Sequence, residues 1–459
     1  MSEPRLPRTP GMKLLFTLLI GAVLAIPLFT VYLLVYDRQN QSNTARASIA
    51  EGWGGPQSIS GPILVIPYSA TTTETVTENG KQVAKTSTAW HELTLSPDVA
   101  TIQSTVKPDV RKRSIYEAVV YEARNRGTAR FALPADLSRW GTTRAALALD
   151  RAELRFGISD ARGLFGAPPA VTADARPLEL QPGKGPRETG GSGFFTALDA
   201  SPLAAKPIGV TFDYAVRGNQ SIALLPQGGD TRWTVTSRWA NPSFQGGFLP
   251  TERQVGANGF TATWRVGNLA LGRTLISTDE HPEATVAAPE RGLPGDSAAA
   301  RVDLVTPVDL YAQVNRSVKY GFLFIGFTFT ALLMFDLIGG VKVSPIEYGL
   351  VGAGLVLFFV MLLAFAEVIG FTLAYCVAGG AIIALLTAYS SAVLRSWRRG
   401  GLIAGLLTAL YGVLYVLLSL EDLSLLIGSL LLFAALAAVM YLTRGIDWGG
   451  RDVPAPSKG

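Results

Sequence analysis

The sequence predicts a membrane protein of about six transmembrane helices that carries one large antiparallel β-sandwich domain outside the bilayer. Three observations predict it. Of the 459 residues 48% are hydrophobic, and the mean hydropathy is positive at +0.29. Charge is unevenly spread: 12 charged residues stand among the 130 from Lys319 to Trp448, and 63 among the other 329. The second density is that of a soluble domain. Between the first apolar run and the later ones, apolar residues recur with period two rather than 3.6.

The first apolar run, Leu14–Tyr36, has 23 residues. At 1.5 Å per residue it crosses about 30 Å of hydrocarbon. A signal-peptide core is shorter, about 7–15 residues, so the run reads as an uncleaved signal anchor behind a tail of residues 1–13; the alternative is a cleaved signal peptide. Pro27 lies mid-span, where proline kinks a helix. Residues 37–318 form the outer β domain. Residues 319–443 hold five more apolar stretches, Tyr320–Gly339, Tyr348–Gly370, Phe371–Leu394, Gly401–Leu420 and Leu423–Leu442, and residues 444–459 are a tail.

Lys and Arg in short loops set the orientation. Arg5, Arg8 and Lys13, then Lys342, then Arg395, Arg398 and Arg399, then Arg444 and Arg451 all fall on one side if six spans leave both termini in the cytoplasm. Glu421 and Asp422 interrupt a run otherwise uncharged from Gly400 to Thr443. An ionised carboxylate in hydrocarbon is costly, and the pair stands at the midpoint, where an extracytoplasmic turn belongs. Glu367, in "LLAFAEVIGF", reads as an acid at a helix end reaching the interface. The sharper alternative, a charge in a cavity between helices, makes it the candidate functional residue of the membrane part. Asp336 reads as interfacial.

In the outer domain, Val210, Phe212, Tyr214 and Val216 alternate with polar or small residues, as do Leu154, Phe156 and Ile158, and Phe260, Ala262, Trp264 and Val266. Short strands with Gly and Pro punctuation indicate an antiparallel sandwich. Gly218-Asn219 reads as a hairpin turn, "SDARG" as a turn, and Thr71–Ser87 and Pro182–Gly193 as polar loops or hairpin tips. Asp37–Ala50 and "VDLYAQVNRSVKY" read as helices joining the domain to the first two spans.

Little in the chain reads as chemistry. The two histidines, His91 and His281, and the single Cys376 have no metal-ligand spacing. "GGSGF" lacks the last glycine of a nucleophile elbow. There is no P-loop and no dinucleotide fingerprint, so no cofactor and no enzymatic activity are expected; a site built from Ser277, Asp279 or His281 is a remote alternative. No basic stripe with interleaved aromatics is present, which argues against nucleic acid. Asn241 and Gln245, in "NPSFQGGFLP", are candidates for a surface that takes a glycan or a partner. The plainer reading of that segment is a strand crossover that needs Gly and Pro geometry.

"EGWGGPQSISGPILVIPY", "KRSIYEAVVY", "GISDARGL" and "NPSFQGGFLP", followed by "RSVKYGFLFIGFTF", "SPIEYGLVG", "LLAFAEVIGF", "ALYGVLYVLLSLEDLSLLIGSLLLF" and "TRGIDW", resemble the CreD family of bacterial inner-membrane proteins over nearly the whole chain. The resemblance implies an inner-membrane location with the β domain in the periplasm, and a role in cell-envelope integrity under a two-component stress system. It also implies links to colicin tolerance and beta-lactam responses. It brings no catalytic residue or cofactor. The partners it leaves open are membrane lipid, envelope proteins and glycans. A transporter or flippase-like protein using the five C-terminal helices is the alternative.

Overall fold

The computed structural model describes residues 10–78, 81–113, 115–278, 298–305, 310–337, 343–419 and 424–444. The Glu421–Asp422 turn, Lys342, Asp279 and His281 lie outside them. The chain divides into two compact units, Thr44–Pro307 and a second made of Met1–Asn43 with Val308–Gly459.

The first unit is two facing sheets, with strands numbered along the chain. One sheet runs β13 (Pro242–Gly246), β17 (Ala300–Leu304), β11 (Ser221–Leu225), β1 (Gln57–Glu78), β5 (Ala152–Ile158), β9 (Gly193–Leu198), β8 (Gln181–Pro182). In addition, β2 (Lys81–Leu95) pairs with the long β1, and β16 (Ile276–Thr278) pairs with β2. The other sheet runs β14 (Glu252–Gly256), β15 (Gly259–Gly267), β12 (Asp230–Ser237), β3 (Val99–Arg113), β4 (Tyr116–Phe131), β10 (Ile208–Asn219), β6 (Ala170–Ala173), β7 (Arg176–Pro177).

The period-two residues are the ones that face inward. Val210, Phe212, Tyr214 and Val216, then Leu154, Phe156 and Ile158, then Phe260, Ala262, Trp264 and Val266 are all buried in one core shared by both sheets. Aromatic rings join the layers: Phe156 meets Phe212 edge-on at 5.4 Å, and Phe194 meets Tyr214 at 5.6 Å. Interdigitation of two inner faces is what makes a sandwich.

Two expectations change. The sheets are not purely antiparallel, since β1 runs parallel to β11 and β3 parallel to β12. Alternation within a strand is the same whichever way its neighbour runs, so it carries no information on direction. Nor does Gly218-Asn219 turn a hairpin. Both residues still pair with β4, and the chain then passes through Gln220, at φ 58°, into β11 of the opposite sheet. "SDARG" is a turn as expected, with a 3-10 turn at Ala161–Gly163 that Asp160 caps.

In the helical unit, α1 (Pro10–Trp53) runs unbroken through Pro27, and its last ten residues belong to the β unit. A short α2 (Asn268–Leu271) lies in the β unit. Then follow α3 (Leu310–Lys319), α4 (Gly321–Leu337), α5 (Pro345–Ile369), α6 (Phe371–Val393), α7 (Trp397–Ser419) and α8 (Ser424–Thr443). Among the described residues five helices are long and apolar enough to cross a membrane: α1, α3 continued by α4, α5, α6 and α7; α8 holds a shorter apolar run, Gly428–Tyr441. The protein is thus a membrane protein with a β-rich domain. Thr17, Leu24 and Val31, at seven-residue spacing, and then Val35 and Ser42 form the buried stripe of α1. Gly321 and Gly352 lie where a Cβ would run into Leu28 and Leu24, so α1 approaches α4 and α5 closely at two glycines.

Candidate functional site

Three places in the molecule gather the residues singled out by sequence. In the helical unit, Ser344 opens α5 with a capping box: its hydroxyl accepts from the Glu347 amide, and Glu347 accepts from the Ser344 amide. At the other end of the same helix stands Glu367, half-buried, whose Oε1 accepts a hydrogen bond from the Tyr311 hydroxyl at 3.1 Å. Tyr311 comes from α3, a helix with one apolar and one polar face that packs against α5, α6 and α7. Gln313 Oε1 and Asn315 Oδ1 of α3 are buried and accept no hydrogen bond among the described residues. An aromatic layer joins α4, α5, α6 and α7: Tyr411 sits 4.6 Å from Phe324 and 4.7 Å from Phe358, and the Tyr375 hydroxyl donates to the Tyr411 carbonyl at 2.8 Å. A neutral hydroxyl can satisfy a carboxylate without adding charge, so this end of the bundle can hold the acid in place.

Asp336, read as interfacial, is 6% exposed, and Lys13 of α1 reaches it at 2.8 Å. Sequence reasoning missed the pair because its members are 323 positions apart.

In the β unit, three of the four outer motifs converge where α1 ends. Trp53 donates its indole N–H to the Tyr121 carbonyl at 3.3 Å. The Arg217 guanidinium lies between two rings, 4.3 Å from Trp53 and 4.4 Å from Phe165, and also reaches Glu122 at 3.2 Å. Gln57 is buried and donates to the carbonyls of Asp160 and Arg217 at 3.1 and 2.9 Å. Gly54, at φ 125°, and Gly163 both come so close to Arg217 O that a side chain at either would collide with it. Arg162 beside Asp160 holds that carboxyl below its usual range. Burial pushes the Tyr121 hydroxyl far above its usual range, and the hydroxyl donates to Ser221 O at 2.7 Å. The arrangement is a lock, in which Trp53, Gln57, Asp160 and Arg217 each bond to or pack against another of these segments. Arg217 had no motif of its own; its signal was an arginine one residue before the Gly218-Asn219 pair.

The fourth motif lies apart. "NPSFQGGFLP" takes the chain from β12 across to β13 in the opposite sheet and back to β14. Phe244 packs edge-on against Phe260 and Trp264, at 5.8 and 5.7 Å, and the Trp264 indole donates to Phe248 O at 3.0 Å. Gly246 takes φ 93° and leaves no room for a Cβ beside Ala299 O. Asn241 and Gln245 stand exposed on this crossover, Gln245 donating to Ser243 Oγ at 2.9 Å. The structure therefore separates Asn241 and Gln245 from Glu367, which lies in the other unit. Of the remaining sequence candidates, Ser277 lies in β16 and His91 in β2, its ring 5.5 Å from that of Tyr68. Among the described residues no three of His, Cys, Asp and Glu are grouped to hold a metal ion.

Comparison with known proteins gives two matches. The family model described as "Inner membrane protein CreD" matches residues 9–449. The curated Inner membrane protein CreD of Escherichia coli (strain K12) is 31% identical over 445 residues, covering 95% of this chain and 94% of that protein.

Proposed function

Since the chain belongs to the CreD family of inner membrane proteins, we propose that it supports the integrity of the bacterial cell envelope without catalysing a reaction. Its β domain faces the periplasm and binds an envelope partner, lipid or glycan. The observation that carries this reading is the architecture: a sandwich of two sheets follows the first membrane helix, and Trp53, Gln57 and Arg217 lock its strands onto the end of that helix. In this orientation the turn into α7, with Arg395 before the helix and Arg398 and Arg399 in its first turn, is cytoplasmic by the charge rule.

A labelling experiment checks the orientation. With Cys376→Ala as background, cysteine at Asp422 is expected to react with a membrane-impermeant thiol reagent in intact spheroplasts, and cysteine at Arg398 only after lysis. The reverse pattern would sink this topology.

The second reading, a transporter or flippase-like protein, is favoured by the half-buried Glu367 and the buried amide oxygens of α3, because polar groups inside a membrane bundle often line a pathway. Glu367→Gln and Tyr311→Phe separate the two. In a deletion strain at matched expression, both variants are expected to restore detergent and beta-lactam tolerance fully. Failure of Glu367→Gln to rescue, with normal membrane insertion and with Tyr311→Phe still rescuing, would support transport and overturn the non-transport reading.

A further inference from the structure

The second sheet carries a groove along β3, β12, β14 and β15. Register sets Thr105 of β3, Thr236 of β12, Thr261 of β15 and Gln254 of β14 side by side. All four are exposed, while the residues next to them, Val106, Ser237 and Phe260, point into the core. One step along lie Lys107 and Arg238, with Gly256 and Gly259 opposite each other beside them. Together with Asn258 these residues line a groove of about 890 Å³, within the usual size of a ligand site.

The charge of the groove is one-sided. Several arginines of this sheet are neutralised, Arg124 and Arg126 by Asp213, Arg265 by Asp230, and Arg130 by Asp98, whereas the cations of the groove are not. Lys107 and Arg238 form neither an ion pair nor a side-chain hydrogen bond among the described residues, and no carboxylate lines the groove. Acids close by in register are Glu122, opposite Lys107 on β4 and taken by Arg217, Asp109, two residues after Lys107 and taken by Arg111, and Glu252, two residues before Gln254.

We propose that this groove binds an anionic saccharide, a sugar chain bearing carboxylate, sulfate or phosphate groups. The inference deepens the reading of the β domain as an envelope-binding domain and rests on it. Three hydroxyls and an amide in a row both donate and accept, as adjacent sugar hydroxyls do. Two uncompensated cations give charge-assisted hydrogen bonds to an anionic substituent. The paired glycines leave the floor open for a ring to come close to backbone. Phe260, the aromatic residue of the lining, is 3% exposed, and its ring packs against Phe244 in the core. Bases therefore have no stacking platform, which weighs against single-stranded nucleic acid. A neutral sugar has no ring to stack on either, so the cations must supply the attraction.

The test uses the full chain in detergent micelles and a fluorescein-labelled heparin hexasaccharide, read by fluorescence anisotropy. The wild-type protein is expected to bind this probe and not labelled maltohexaose, with affinity falling as salt rises. Lys107→Gln/Arg238→Gln should weaken binding at least tenfold, and Thr236→Val several-fold. Arg176→Gln/Arg187→Gln, a pair of exposed cations outside the groove, should change it less than twofold. Equal loss in the two charge pairs, or none in the groove pair, would overturn the site. So would competition by inorganic phosphate or phosphatidylglycerol vesicles as strong as by unlabelled hexasaccharide. Failure of the site is distinct from failure of the envelope role. A groove pair that loses the sugar yet fully restores a deletion strain leaves the site standing and counts against the role.

Discussion

Trp233→Ala is expected to destabilise the β domain by about 3–5 kcal/mol, the usual cost of emptying a buried aromatic site. Trp233 is 0% exposed and Trp264 is 1% exposed; they stand opposite each other on β12 and β15 with ring centroids 4.8 Å apart. Neither indole N–H is wasted. Trp233 donates to Ser104 Oγ at 2.9 Å, Ser104 donates to Asn125 Oδ1 at 2.6 Å, and Trp264 donates to Phe248 O at 3.0 Å. Truncation removes the packing against Trp264 and leaves the Ser104 oxygen buried without its donor. The two losses fall on the same element, so they should be felt together. Chemical denaturation of the full chain in micelles, followed by tryptophan fluorescence and far-ultraviolet circular dichroism, measures the effect. Trp233→Phe should recover part of it, because the ring volume is mostly restored while the donor is not. A loss below about 1 kcal/mol would mean that the pair lies outside the core.

Lys13→Met is expected to cost the helical unit about 3–5 kcal/mol, since removing one member of a buried ion pair leaves an uncompensated charge. The Asp336 side chain is 4% exposed and that of Lys13 26%, so the aspartate bears most of the penalty. The double variant Lys13→Met/Asp336→Leu should recover most of the loss, because two apolar side chains can replace a buried pair at little net cost. The contrast between single and double variants is the measurement, read as the midpoint temperature of unfolding in micelles. If the double variant is as unstable as the single one, the pair contributes by attraction and the burial argument fails. The contact also places the N-terminal helix: Lys13 sits on the side of α1 that carries Thr17, which donates to Lys13 O at 2.9 Å and is itself buried.

The parts of this fold that could be read from sequence are those set by local periodicity. Phe260, Trp264, Tyr214 and Phe156 alternate with polar neighbours, and a half-buried strand needs nothing more to declare its inner face. The apolar helices were legible for a similar reason, because length and lack of charge suffice. What depended on distant partners was hidden. Nothing near Asp336 announces Lys13, and nothing in "VTFDYAVRGN" says that the chain leaves one sheet for the other at Gln220. Glu367 was found as an isolated acid, but its partner Tyr311 lay in a segment read only as a connecting helix. Asn241 and Gln245 drew notice by composition, yet Phe244, Gly246 and Phe248 explain why that segment has its sequence. The groove was out of reach altogether, as its row of side chains is assembled from four strands spread between residues 105 and 261.

The strands that end the two sheet orders are β13, β8, β14 and β7, and none exceeds five residues. Three of them contain proline, at Pro242, Pro182 and Pro177, and the fourth sets Glu252 beside Arg253 on a wholly exposed strand. Open edges are where β proteins join one another, and short, proline-bearing or charged edges discourage it. Copies crowded in one membrane therefore have no template at these four margins from which to zip into a continuous ribbon. A peptide seeking to extend either sheet from one of these four strands meets the same obstacle.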